Sequence, residues 1–148
     1  MVDVEIRCEG GDFLTFAIIG RSHPGCSDYW DGNWVCASVK ACVGGFRATV
    51  NGNLRADELA AFAEQMTLLQ SSLIGTVKFV TMEDWFSIQV TGDGRGHMEY
   101  HCVLRDQPGI GNTLEFVLRT DQTFTRTTVS QLADVVREFP VIGRNEAG

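Results

Sequence analysis

The hydrophobic period of the chain switches from that of strands to that of a helix at two places, and this pattern constrains the fold more than any other feature. Most of the chain alternates apolar and polar residues at the period of two that is typical of β-strands. Two stretches, at 56–73 and from 128 to 140, instead carry apolar residues every three or four positions, as amphipathic helices do. Each follows a run of strand-like segments. The predicted fold class is therefore α+β, with antiparallel β-sheets of about eight strands covered by two helices, in the order ββββα-ββββα.

Short turns separate the strand-like segments, which favours antiparallel pairing between neighbours. Asn51-Gly52-Asn53 is predicted to close the fourth strand, and Thr128-Val129-Ser130-Gln131 fits a capping box at the start of the second helix. The predicted strands are 2–8, 13–19, 34–42, 46–50, 76–82, 85–91, 97–105, one marked by Leu114, Phe116 and Leu118, and a short edge strand at 124–127.

The length of 148 residues suits a single α+β domain over 1–148, with an ordered core at about 2–142. A chain of this length buries enough surface to fold without a metal or a disulfide. The five cysteines form no C-x-x-C pair, and the first residues carry acids rather than a signal peptide. We therefore expect a cytoplasmic location.

The net charge of −7 comes from 19 acidic and 12 basic residues. Binding to phosphate backbones requires clustered Lys and Arg, so nucleic acid is not an expected partner. An anionic membrane surface is disfavoured for the same reason, and no apolar run reaches the roughly 20 residues of a membrane helix. A basic protein surface would be attracted to this chain.

His97-Met98-Glu99-Tyr100-His101 is the sharpest cluster of reactive side chains. Alternate residues of a strand share a face, so two imidazoles and a carboxylate could bind zinc in a metal-dependent hydrolase. The competing interpretation is the polar, solvated outer face of a half-buried sheet. No ligand from a second strand is identified, and no nucleophile elbow occurs. We therefore expect no catalytic residues, no metal and no cofactor.

The segment Tyr29-Trp30-Asp31-Gly32-Asn33-Trp34 is unusually aromatic. Aromatic side chains dominate binding hot spots, although Trp34 at a strand start also suits the core. Several acidic residues fall in predicted loops, where they could form a negative patch for a basic protein. The predicted partner-binding residues are Asp28, Trp30, Asp31, Glu83 and Asp84.

Several short motifs occur in an order that resembles the small bacterial WapI-type immunity proteins and allied families of unknown function. The similarity covers about 12–140. The motifs are Tyr29-Trp30-Asp31-Gly32-Asn33-Trp34, a helix with Glu58-Leu59 and Phe62, Gly96-His97 opening a strand that ends at Leu104-Arg105, and Thr120-Asp121-Gln122-Thr123 followed by a helix that ends at Phe139-Pro140.

The resemblance implies a cytoplasmic antidote that binds and blocks the toxic domain of a contact-delivered or secreted bacterial toxin. It transfers no catalytic residues. The leading hypothesis is therefore a non-enzymatic protein-binding domain that neutralises a cognate toxin by occluding it. The alternatives are the metal-dependent hydrolase and a structural domain that forms a homodimer through an edge strand.

Overall fold

The computed structural model describes residues 1–146, in which two four-stranded antiparallel sheets are accompanied by one short and two long helices. The first sheet contains β1 (Val2–Arg7), β2 (Phe13–Arg21), β3 (Trp34–Val43) and β4 (Phe46–Arg55), in that spatial order. The second contains β5 (Ile74–Val80), β6 (Phe86–Asp93), β7 (His97–Gln107) and β8 (Ile110–Asp121). The helices are α1 (Tyr29–Gly32), α2 (Ala56–Ser72) and α3 (Gln122–Glu138). The predicted α+β class and the order ββββα-ββββα are confirmed.

The alternating pattern of the strands gives each sheet one buried and one solvated face. In the first sheet, Val4 pairs with Phe16 and Phe16 pairs with Val39, and all three side chains are fully buried. Their chain neighbours Asp3 and Lys40 are exposed on the opposite face. Because a strand's side chains alternate, the hydrophobic pattern fixes the register as well as the face.

A chain of aromatic contacts joins both sheets to α2. Phe16 of β2 contacts Phe86 of β6 edge to face, with ring centroids 5.4 Å apart. Phe86 contacts Phe79 of β5 at 5.7 Å, and Phe79 contacts Phe62 of α2 at 5.0 Å. Offset and edge-on ring pairs stabilise a core beyond the area they bury. The buried hydrophobic residues of both halves accordingly form one cluster.

Helix α3 covers the free edge of β1. The Gln131 side chain accepts a hydrogen bond from the backbone N–H of Glu5 (2.7 Å), and the Thr128 hydroxyl donates to the Glu5 carbonyl (2.5 Å). Unpaired edge groups would otherwise be open to pairing with another strand. This helix therefore protects one edge of the first sheet. Within residues 1–146, no helix is both long and apolar enough to cross a membrane.

The predicted start of the last helix is wrong by six residues. The Asp121 carboxylate accepts hydrogen bonds from the backbone N–H groups of Thr123 (2.9 Å) and Phe124 (3.1 Å), so it caps a helix that begins at Gln122. The predicted edge strand at 124–127 is therefore helical. Thr128 does not open the helix; it is buried within it.

The predicted end of the fourth strand is also wrong, because β4 continues through Asn51-Gly52-Asn53 to Arg55. The indole of Trp85 packs against Gly52 so closely that a Cβ there would lie 2.5 Å from the ring. Gly52 therefore serves as a contact surface for a side chain and does not end the strand. The short helix α1 lies in a segment that the sequence pattern indicated only as a polar connection.

We expect Asp121→Ala to lower the free energy of unfolding by about 1 kcal/mol, because two helix N–H groups lose their acceptor. Urea denaturation would measure the change. Asp3→Ala is the matched control: it removes an exposed carboxylate that caps nothing, and its effect should stay within about 0.5 kcal/mol. Equal losses in the two variants would contradict the assigned cap.

The buried Tyr100 predicts a loss of stability in alkali. Burial raises the pKa of its hydroxyl to about 12, whereas the unfolded value is about 10. The folded state therefore holds this proton to higher pH than the unfolded chain, so stability falls as the pH rises through this window. In Tyr100→Phe this contribution, up to about 1.4 kcal/mol per pH unit, should be absent.

Denaturation curves of the wild-type protein and of Tyr100→Phe, recorded at increasing pH from pH 8 upward, would test this prediction. The Cys102 thiol, whose pKa burial also raises to about 12, is present in both proteins and contributes to both profiles. The variant should lose less stability than the wild type as the pH rises. Parallel profiles would show that Tyr100 is not the group responsible.

Candidate functional site

A buried arginine lies where β4 meets α2. The side chain of Arg55 is fully inaccessible to solvent. Its guanidinium donates to the carbonyls of Trp30 (Nη1, 2.8 Å) and Tyr29 (Nη2, 2.9 Å) and, through Nε, to the Asp57 carboxylate (3.0 Å). A buried charge is tolerated only when partners replace its water. Arg55 therefore requires the Tyr29–Trp30 backbone to stay where it is.

Three aromatic rings surround the same guanidinium. Its central carbon lies 5.2 Å from the ring centroid of Tyr29 and 5.0 Å from those of Trp30 and Trp34, within the range of cation–π attraction. The Tyr29 hydroxyl donates to Asp57 (3.0 Å), and burial together with this carboxylate raises the pKa of Tyr29. The aromatic segment is therefore fixed through both its backbone and its rings.

A glutamate in the first turn of α2 links this cluster to the β5–β6 loop. Glu58 accepts from the backbone N–H groups of Arg55 (3.2 Å) and Met82 (2.7 Å). Burial raises the pKa of its carboxyl group. The Trp85 indole N–H donates to the Asn53 carbonyl (2.9 Å) and holds the loop from its other end. Helix α1 and the β5–β6 loop therefore both flank the start of α2.

The structure thus brings the two predicted binding segments to one end of the molecule. Trp30 is 46% exposed, and the Asp31 and Glu83 side chains are also exposed. Met82, which is 58% exposed beside Glu83, was missed in the sequence. It lies at the end of a strand-like apolar run, so the pattern gave no sign that its side chain is exposed.

Two of the five predicted residues also have structural roles. The Asp28 carboxylate accepts from the Asp31 backbone N–H (3.0 Å) and caps α1. Asp84 has a positive φ of 53° and forms an ion pair with Arg105 at 3.0 Å. Both side chains remain exposed on the surface while they stabilise their own loops.

His97, Glu99 and His101, the ligands that the alternative hydrolase hypothesis would require, do not converge. They lie on the solvated outer face of the second sheet, as the competing interpretation required, and each has its own partner. The pairs are His97 with Asp93 (2.7 Å), His101 with Glu115 (2.5 Å) and Glu99 with Arg119 (3.3 Å).

Within residues 1–146, a single group of three candidate metal-ligand atoms lies within 4.8 Å of one another. It consists of Cys26, Asp28 and Asp31, in and beside the connection before α1. The Asp28 carboxylate is already used as a helix cap. The group is therefore explained by local chain geometry.

A surface depression of 610 Å³ lies at the opposite end of the molecule, between the β1–β2 turn and the start of α3. Its walls include His97, Arg119 and the partly exposed Phe124. At its rim, the Arg95 backbone N–H and His97 lower the pKa of Asp93. Nothing in the sequence pattern marked this depression, because it forms between segments far apart in the chain.

The chain matches the sequence model of the Immunity protein WapI-like family over residues 5–140. It belongs to this family. The resemblance inferred from the short motifs is therefore confirmed. The matched region of this WapI-like protein contains both sheets almost entirely, both long helices and the whole Arg55 cluster. No significant match is found among curated proteins.

For this WapI-like protein, we expect Arg55→Lys to lower the free energy of unfolding by about 1–3 kcal/mol. An ammonium group cannot bridge two carbonyls and a carboxylate as the planar guanidinium does, so buried acceptors lose partners. Arg126→Lys is the matched control, because Arg126 is exposed on α3. Denaturant titration of both variants would measure the difference, and a neutral Arg55→Lys would contradict the central role of Arg55.

Proposed function

We propose that this protein is a non-enzymatic immunity protein that binds the toxic domain of a cognate bacterial toxin and neutralises it by occlusion. The membership of the WapI-like family supports an immunity function. The observation that carries the proposed binding surface is Trp30, a half-exposed ring on a backbone held by a buried arginine. The surface formed by Asp28, Trp30, Asp31, Glu83 and Asp84 lies beside the first turn of α2, and we call it the α2-end surface.

Trp30 suits a binding hot spot because it is ordered before the partner arrives. Its carbonyl is bonded to Arg55, and its ring meets that of Tyr29 edge to face at 5.2 Å. A side chain fixed in advance loses little conformational entropy on binding. Tryptophan is also among the residues enriched at binding hot spots. The exposed thioether of Met82 adds an adaptable apolar contact nearby.

The carboxylates of the α2-end surface favour a basic partner. Four of the five residues that define the surface are acidic, and the whole chain carries a net charge of −7. Charge complementarity raises the association rate and disfavours partners of like charge. Occlusion requires no chemical step by the immunity protein. A rigid acidic surface placed over a basic toxin surface would be sufficient.

We propose that the protein acts in the cytoplasm. All five cysteines are free, and the buried Cys102 lies in the core. Free thiols suit a reducing compartment, whereas secreted domains of this size commonly pair their cysteines. A toxin that enters or is made in the cell would meet its antidote there.

We expect Trp30→Ala to weaken binding of the cognate toxin domain by about 30-fold or more, because a central aromatic anchor is lost. Isothermal titration calorimetry with the purified toxin domain would measure the change. Phe46→Ala is the matched control: Phe46 is 66% exposed at the β3–β4 turn, at the far end of the first sheet. Equal effects of the two substitutions would place the interface elsewhere.

The acidic side chains are tested by measuring the rate of association with the toxin domain in stopped-flow experiments at two salt concentrations. Asp31→Asn combined with Glu83→Gln should slow association several-fold and reduce its salt dependence. Glu64→Gln, an exposed site on α2, is the control. If the wild-type protein neither binds a toxin domain encoded in the same genome nor protects cells that express one, the immunity function is wrong. Light scattering of the free protein would then test self-association.

A further inference from the structure

The chain turns back after α3 and crosses the short helix α1. Arg21 joins the two segments, because its guanidinium donates to the carbonyl of Gly32 at the end of α1 (3.0 Å) and to that of Pro140 (2.6 Å). The same guanidinium lies 5.9 Å from the ring centroid of Phe139. Residues 140–143, which we call the C-terminal strap, therefore start from a fixed point beside α1.

Asn33 connects the strap directly to α1. Its side chain is fully buried, and its amide donates to the carbonyls of Ile142 (2.9 Å) and Tyr29 (2.8 Å). Its oxygen accepts from the backbone N–H of Ile142 (3.0 Å). An asparagine amide can pair with both backbone groups of one residue because it carries a donor and an acceptor. The side chain of Asn33 thus bonds the end of α1 to both backbone groups of Ile142 in the strap.

Two glycines allow the strap and α1 to approach very closely. A Cβ on Gly32 would lie 2.4 Å from Cδ1 of Ile142. Gly143 has a φ of 67°, and a Cβ there would lie 2.7 Å from the backbone nitrogen of Tyr29. A side chain at Gly143 would force one of the two segments to move, whereas one at Gly32 would displace the side chain of Ile142.

Helix α1 has four residues, too few to be stable alone. Its position must come from contacts with the rest of the molecule. Arg55 supplies these contacts on one side, and Asn33, Ile142 and Gly143 supply them on the other. Ile142 and Gly143 lie beyond the residues matched by the family model, which end at 140.

We infer that the C-terminal strap is a positioning element that fixes α1. The strap thereby sets the position and orientation of Trp30 and its neighbouring carboxylates on the surface. The consequence for partner binding rests on the proposed function. The positioning itself does not, because it can be measured on the protein alone.

We expect Gly143→Ala in the full chain to increase hydrogen exchange at the amides of residues 29–33 by about tenfold or more, because the strap must move away from Tyr29. Exchange in the central strands β2 and β6 should be unchanged. Gly10→Ala is the matched control, because a Cβ at Gly10 meets no atom within 4 Å. Hydrogen-exchange mass spectrometry would give both results.

Ile142→Ala provides a second variant without backbone strain, since it removes the contact with Gly32 but keeps the backbone bonds to Asn33. It should increase exchange in the same residues by a smaller factor. If both variants leave 29–33 protected while the strap itself exchanges faster, the strap does not position α1 and the inference is wrong.

Toxin binding separates this inference from the proposed function. Faster exchange at 29–33 together with weaker binding supports both. Faster exchange with unchanged toxin affinity supports the strap and overturns α1 as the recognition surface. If the wild-type protein binds no toxin, the exchange measurement still decides whether the strap holds α1.

Discussion

The buried guanidinium of Arg55 is the interaction on which the organisation of this protein most depends. A cation without solvent must find its partners within the fold, and here they come from three places: the carbonyls of α1, the Asp57 carboxylate of α2 and a group of aromatic rings. A guanidinium suits this position because it is planar, weakly hydrated and always charged. One side chain thereby sets the junction between the first sheet, α1 and α2. Losing any partner would leave a buried charge or a buried acceptor unsatisfied.

The same junction explains why the two ends of the molecule differ. At the α2 end, Glu58 extends the network to the β5–β6 loop, so segments about fifty residues apart in sequence are held by one connected set of hydrogen bonds. Side chains on segments that such a network holds keep their orientation when a binding partner displaces the solvent around them. At the other end, exposed pairs such as His97 with Asp93 join neighbours on one sheet and constrain little beyond themselves. A recognition surface is better built where the backbone is held from several directions.

Features that depend on local periodicity could be predicted from the sequence, and those that depend on distant contacts could not. The pattern placed the first long helix at 56–73, and α2 spans Ala56–Ser72. The start of α3 was placed too late because Thr128-x-x-Gln131 fits a capping box, whereas the helix is capped by Asp121 and the side chain of Thr128 has its partner in β1, more than a hundred residues away. Helix α1 has four residues, which is too short for a helical hydrophobic periodicity to be visible in the sequence. Trp30 could be chosen as an exposed aromatic, but nothing in the sequence distinguishes Arg55 from an arginine at the surface.

His97-x-Glu99-x-His101 and the Arg55 cluster differ in whether their side chains converge. Catalysis by polar groups needs them to converge, whereas the strand spacing of the histidines and glutamate separates them and gives each its own counter-charge. The side chains that do converge, around Arg55, are fully committed to one another. Such a cluster offers no free group to a substrate, but it makes the surface above it rigid. A surface held in this way suits the proposed occlusion of a toxin, since a protein that binds in a preformed shape loses little conformational entropy on binding.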